Sequence, residues 1–399
     1  MSVRNRAARW ASCGALCAML ALPAYANGSG RASSPIGIHS MLFLDHAFSA
    51  KKAMFKEAAN VGASEIRLDI ALAGVFAAPD GAADWSGVDQ YMLLARRYHL
   101  RVLANLLATP WYLAACPAGM SFGDSYRCPA SDPVRWAQQA AAVARHTRGV
   151  IDDFEIVNEP DGSWAFLGSA QQYGAMLGAA SDAIHTANPA ALVATGGLMD
   201  VGTAGRQWTD AMLASIGPRP TQAFDIANIH VRGRADETPQ VVARWRRYFA
   251  RAGFKGQLWV TEAGYPADPR YQTDPAYRGG PVAQARYLKT AVSAMIRAGA
   301  AKVFITERDA LTGRFASEGI LDTTDPLQAE PRYTRRAGFY AVRALARHGG
   351  GRRACARLRR RRRIGVAIGR RGGIADRAAR ACTSQMRRRT KRAREDSNL

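Results

Sequence analysis

Past its N-terminal segment, this chain of 399 residues has no apolar run approaching the ~20 residues that a membrane span requires. Cysteine is scarce. Of the six, Cys13 and Cys17 fall in the N-terminal segment and Cys355 and Cys382 in an arginine-rich tail, which leaves Cys116 and Cys128 in the body. No histidine lies near that pair in the turn-rich stretch AACPAGMSFGDSYRCPA, so a disulfide closing a loop fits better than a metal site. A glycine-rich phosphate turn is missing after the first predicted strand, since GIHSMLFLDHAF offers none. The usual mark of a nucleotide-binding doubly wound sheet is therefore absent. The body also lacks a charge excess. The formal net charge of +23 is concentrated in residues 351–399, where 18 Lys and Arg face three acids. A nucleic-acid reading would rest on that tail alone.

The N-terminus is informative. Arg4, Arg6 and Arg9 precede an apolar run from Ala11 to Leu22, and Ala24-Tyr25-Ala26 supplies a small-x-small cleavage pattern. Residues 1–26 thus read as a secretory signal peptide, 27–34 as a short linker and 35–347 as the folded domain, with a periplasmic or secreted destination. Residues 348–399 carry no aromatic residue and end in REDSNL. That tail reads as an out-of-frame or read-through terminus; a basic arm for nucleic acid or an anionic surface is the rival reading.

Between these ends, short runs rich in Ile, Val, Leu and Phe alternate with longer Ala-rich stretches of helical period. The strand candidates are Ile36–His39, Glu65–Ile70, Val102–Leu107, Phe154–Val157, Leu192–Thr195, Asp225–His230, Leu258–Thr261 and Lys302–Thr306. The helix candidates are Lys51–Val61, Gly87–Tyr98, Pro133–Arg148, Ala170–Thr186, Trp208–Ile216, Thr238–Ala252, Pro281–Ala298 and Arg335–Arg347. Strict alternation argues for a parallel sheet under helical cover, and eight repeats argue for a closed (β/α)8 barrel of one domain. An open doubly wound sheet also alternates.

In such barrels the working residues gather at the carboxyl ends of the strands. There stand Arg67 and Asp69, then Asn105 with Trp111 beyond it, then Asn158-Glu159, His230 and Glu262. The two glutamates end strands three places apart in a ring of eight, which sets them facing across the mouth. Opposed carboxyls are the minimal apparatus for breaking a glycosidic bond, one protonating the leaving oxygen while the other attacks or activates water.

Asn158-Glu159-Pro160 after one strand and Thr261-Glu262 after another resemble the clan A glycoside hydrolases. GASEIRLDI, DWSGVDQYMLLARRYHLRVLANLLATPWYL and FDIANIHVRG resemble stretches of bacterial family 39 and family 5 members. The resemblance covers roughly residues 36–345. It implies a retaining hydrolase of a β-glycosidic bond with a carbohydrate substrate and no cofactor or metal. Glu159 would be the acid/base, protonated near neutrality, and Glu262 the ionised nucleophile beside Arg67; Asn158 would bind the sugar 2-hydroxyl. His230, Trp111, Trp164 and Tyr265 would shape the sugar site. Blander roles also fit these residues: a cap for Glu159, an ion pair of Arg67 with Asp69 or Glu65, and packing for His230 and the aromatics.

The chain departs from the family pattern in three places. Arg232 stands where relatives carry Tyr, Glu307-Arg308 where the eighth strand delivers Trp, and Leu72 where a Trp follows the second strand. Extra Arg and Glu at the rim would suit a charged glycan, whereas loss of the Tyr and Trp would suit a non-catalytic carbohydrate-binding barrel.

Overall fold

The computed structural model describes residues 34–347, apart from 42–46, 121, 200–201, 218–219, 310–312 and 324–332. The expected signal peptide and arginine-rich tail lie outside these residues. Eight strands close into one parallel barrel: β1 (Ile36–His39), β2 (Glu65–Ala71), β3 (Arg101–Leu107), β4 (Asp153–Ile156), β5 (Leu192–Thr195), β6 (Ile226–His230), β7 (Gln257–Ala263) and β8 (Lys302–Thr306). Closure comes from β8 pairing with β1. Around it run α1 (Phe48–Val61), the short α2 (Leu72–Val75), α3 (Ser86–Tyr98), α4 (Pro133–His146) and α5 (Ala170–Ala187). The ring continues with α6 (Thr203–Ile216), α7 (Thr238–Arg251), α8 (Pro281–Ala298) and a last helix, α9, over 337–347. This is the (β/α)8 architecture that the alternation predicts. Among the described residues no helix is long and apolar enough to cross a membrane.

Capping explains why some helix starts are legible. Asp132 accepts hydrogen bonds from the backbone of Val134 and Arg135 and Pro133 opens α4, while Ser169 and Gln172 form a capping box on α5. The last helix departs from expectation. Arg335 belongs not to α9 but to a strand, β10 (Tyr333–Arg335), antiparallel to β9 (Leu321–Thr323). Its guanidinium grips both carboxylate oxygens of Glu57 on α1, at 2.6 and 2.9 Å, which ties the segment down before the helix begins.

Period-2 alternation sets what faces where. Ile66, Leu68 and Ile70 of β2, Val102, Ala104 and Leu106 of β3, and Phe154 and Ile156 of β4 join the core shared with the helices. Each fully buried Val, Leu, Ile or Phe among them stabilises the fold by about 1.5–3 kcal/mol. The intervening residues, Glu65, Arg67, Asp69, Asn105, Asp153 and Glu155, are buried as well. The barrel wall therefore buries charge on its inner side, and each charge requires a partner.

Candidate active site

The tip of β4 is the most distorted part of the wall. Val157 and Glu159 have φ of 62° and 41°. A left-handed conformation is unusual for any residue with a side chain and an outlier for a β-branched one, at a cost of about 1–3 kcal/mol each. The turn that follows is closed by Gly162 N–H donating to the Glu159 carbonyl at 2.9 Å. Strain held at the residue with the most suggestive sequence signal marks the place where chemistry is to be sought.

Arg67 organises the mouth. Its guanidinium, only 1 % exposed, donates from Nε and Nη2 to the two oxygens of Glu155 at 2.7 and 2.8 Å. Nη2 also donates to Asn158 Oδ1 at 2.7 Å, and Nη1 to Glu262 Oε1 at 3.0 Å. The ion pair envisaged with Asp69 or Glu65 is thus made with Glu155 and Glu262 instead. Asn158 accepts through its oxygen, so its amide NH2 is the group left to donate.

Glu262 carries a second guanidinium. Arg232 Nη2 donates to Oε2 at 2.9 Å, and Arg232 is itself braced by both oxygens of Glu318 at 3.1 and 3.2 Å. Burial alone would raise the Glu262 pKa. The basic groups around it, His230, Arg67 and Arg232 among them, reverse this and hold it well below the usual carboxylate range. Glu262 is therefore ionised at any working pH. His39 Nδ1 lies 3.6 Å from Glu262 Oε1, but burial and the neighbouring cations push this imidazole down to about 3, so it faces the carboxylate neutral.

Glu159 is held at both oxygens. Oε1 lies 2.8 Å from His230 Nδ1, and Oε2 accepts from the Trp164 indole N–H at 2.7 Å. Burial favours the protonated form, yet the His230 and Trp164 hydrogen bonds outweigh it and lower the pKa. The expected elevation is not found. His230 is fixed from behind, with Nε2 3.1 Å from the Thr261 hydroxyl, which donates to Asn228 Oδ1 at 2.8 Å. A Cβ on Gly197, at the tip of β5, would lie 2.0 Å from His230 Nε2, so only glycine lets the ring sit there. His230 is a buried histidine in contact with Glu159.

Donor atoms of Glu159, His230 and Glu262 lie within 4.8 Å of one another. That spacing would also suit a divalent cation. Two guanidiniums already neutralise Glu262, however, and a metal ion would add like charge beside them.

Other predicted residues separate. Trp111 lies outside the network, its ring half exposed and its indole donating to the Ala77 carbonyl at 3.2 Å. Tyr265 is core: 1 % exposed, stacked on Tyr287 at 4.1 Å, with its hydroxyl donating to the Asp274 carbonyl. It offers no face to the mouth. Glu307 and Arg308 are buried rather than rim-facing, Glu307 accepting from the Ser40 hydroxyl at 2.6 Å, and Leu72 begins α2. With Arg232 also spent on Glu262 and Glu318, the rim carries none of the charges imagined for an acidic glycan. Cys116 and Cys128 are joined in a disulfide with Cα atoms 5.1 Å apart, stapling the loop between β3 and α4.

No family model matches the chain, and no curated protein matches it. Solved structures do resemble it. A family 39 glycoside hydrolase from Bacteroides cellulosilyticus superimposes with a TM-score of 0.60 at 14 % identity, over 79 % of this chain and 64 % of that one. An exo-β-1,4-mannosidase from an Opitutaceae bacterium gives 0.55 at 16 %, over 82 % and 61 %, and a family 39 β-xylosidase from Caulobacter crescentus 0.58 at 17 %, over 79 % and 72 %. The chain thus spans somewhat less than two thirds of the first two. Likeness at this level of identity establishes the barrel fold.

Sequence reasoning missed Glu155, Glu318 and His39. Glu155 had a signal, a charge alternating with apolar residues in the buried strand DFEI. Glu318 had none, because it reaches Arg232 from an irregular segment after β8.

Proposed function

We propose that the chain is an exported, retaining glycoside hydrolase that cleaves a β-glycosidic bond in an oligo- or polysaccharide, with Glu159 as acid/base and Glu262 as nucleophile. The observation that carries this reading is the approach of the two carboxylates, with donor atoms within 4.8 Å across the mouth. An oxygen of each carboxylate thus comes close enough to act on one glycosidic bond, and the retaining reading corresponds to a spacing of about 5–5.5 Å between carboxyls. The electrostatics fit the division of labour. Glu262, ionised under two guanidiniums, attacks the anomeric carbon, and the same cations make its carboxylate a good leaving group when water later breaks the glycosyl ester. Asn158 presents its amide NH2 to the sugar 2-hydroxyl. The solved neighbours named as glycosidases support the same class of reaction. The charged-then-apolar N-terminus and the Cys116–Cys128 bridge support export.

The test is hydrolysis of a panel of β-linked oligosaccharides and aryl glycosides, with the first-formed anomer followed by NMR. Retention is expected. A 2-deoxy-2-fluoro glycoside should label Glu262, and Glu262→Gln should lower kcat on the order of 10⁴-fold while leaving binding intact. An inverted product or a label elsewhere would sink the assignment. Sugar binding by a chain with no turnover to lose would leave a carbohydrate-binding barrel.

A further inference from the structure

Both oxygens of Glu159 are occupied, yet an acid must turn one of them toward the leaving oxygen. We infer that Trp164 is a latch on this acid: its indole holds Glu159 in the resting site and is displaced by the leaving-group sugar, which frees Oε2 to protonate the glycosidic oxygen. The inference rests on the glycosidase reading of the site.

The two partners of Glu159 differ in freedom. His230 is walled in, with Thr261 on its far nitrogen and the backbone of Gly197 against its ring. Trp164 is 60 % exposed, so its ring can swing into solvent without disturbing the core. Its seat is nonetheless built. A Cβ on Gly162 would lie 2.5 Å from the Trp164 ring, so the indole lies directly over the turn that Gly162 closes onto Glu159. The disulfide loop braces the neighbouring backbone, Arg127 donating to the Ser163 carbonyl at 3.3 Å and accepting from Leu167 N–H at 2.9 Å. An exposed ring in a prepared seat, bonded to the oxygen that must be released, is a movable part.

The charged groups facing Glu159 are His230 from β6 and Glu262 from β7, with Arg67 and Arg232 beyond Glu262. With the indole bound, the His230 hydrogen bond and, to a smaller degree, that of Trp164 favour the carboxylate. Once the sugar displaces the indole, one donor to the charged form is gone, which favours a proton on Oε2, taken from solvent. That proton passes to the leaving oxygen as the C–O bond breaks and Glu262 bonds to the anomeric carbon, while His230 stays on Oε1. Leaving groups that fill the site of the indole, namely sugars, are thereby favoured over small alcohols.

Trp164→Phe keeps the ring and loses the donor; Gly162→Ala keeps the donor and crowds it off its seat. In both, the alkaline limb of kcat/KM, which reports the free enzyme, should move up by about 0.5–1 pH unit, while the limb of kcat, which reports the bound enzyme, stays in place. If neither limb moves, Trp164 is only a wall of the site. If both move together, the indole stays on the carboxylate through turnover. Either result overturns the latch. Glu159→Gln separates the two levels of inference: wild-type turnover of sugar-leaving substrates in that variant would refute the acid assignment itself, whatever the limbs do.

Discussion

The two ends of the barrel both bury ion pairs, and they use them differently. At the amino end, Arg101 grips Asp153 from a half-exposed position and Lys302, lying over the Trp259 ring at 4.0 Å, pairs with Glu65. In each of these pairs one cation meets one acid. At the carboxyl end, Arg67 is shared by Glu155, Asn158 and Glu262, and Arg232 by Glu262 and Glu318. Among the described non-glycine residues, left-handed backbone lies mostly at this end, at Met41, Ala108, Val157 and Glu159, whereas ahead of the strands it occurs at His99, the C-cap of α3. A simple couple answers the cost of burying charge. A shared one also fixes which carboxylate is ionised and where it points, which catalysis needs and stability does not.

The comparison breaks most visibly at Arg67. Arg67→Met leaves Glu155 buried without its bidentate partner, and a loss of about 3–5 kcal/mol in denaturant unfolding at pH 7 is expected, together with loss of hydrolysis. The double variant Arg67→Met/Glu155→Gln should recover most of the stability but none of the activity. Recovery of both would show that the cation serves the fold alone.

Glu307, at the tip of β8, gives a smaller effect of opposite sign. Burial pushes its carboxyl up to about 8, above the ordinary value of 4.5. The folded chain therefore prefers it protonated, and stability falls as pH rises from the ordinary value toward 8. Glu307→Gln should remove that fall, adding about 1–3 kcal/mol above pH 8 and nothing below about pH 4. Melting curves across this range would test it, and a variant less stable at pH 8 would contradict it.

The smallest effect is expected at the amino end. Asp153 is pushed up to about 6 by burial, against the pull of Arg101. In Arg101→Gln this carboxyl can take up a proton, so the deficit should be about 1 kcal/mol at pH 7 and vanish toward about pH 5. Turnover should be unchanged. A drop in kcat would show that the amino end communicates with the mouth and would blur the contrast between them.

Much of the fold was legible because the relevant physics is local. β1, β5 and β8 have their predicted bounds, since short aliphatic runs between turn residues have few alternatives. α4 and α5 begin at Pro133 and Ala170 because Asp132 and Ser169 cap them through adjacent backbone. Arg335 was misread as helical because its partner, Glu57, is distant in sequence. Tyr265 was assigned to the site by its place after β7. Whether an aromatic at a strand tip turns to the mouth or the core depends on its neighbours, here Tyr287 from α8.

By itself, the sequence determined the alternation, the eightfold count and the two strand-ending glutamates, because periodicity and caps act over a few residues. Only the tertiary structure decided that Arg67 chooses Glu155 over Asp69, that Arg232 and Glu318 brace Glu262, and that Trp164 folds back onto Glu159. Those pairings join different strands and loops, and a buried charge takes whichever partner ring closure brings within reach.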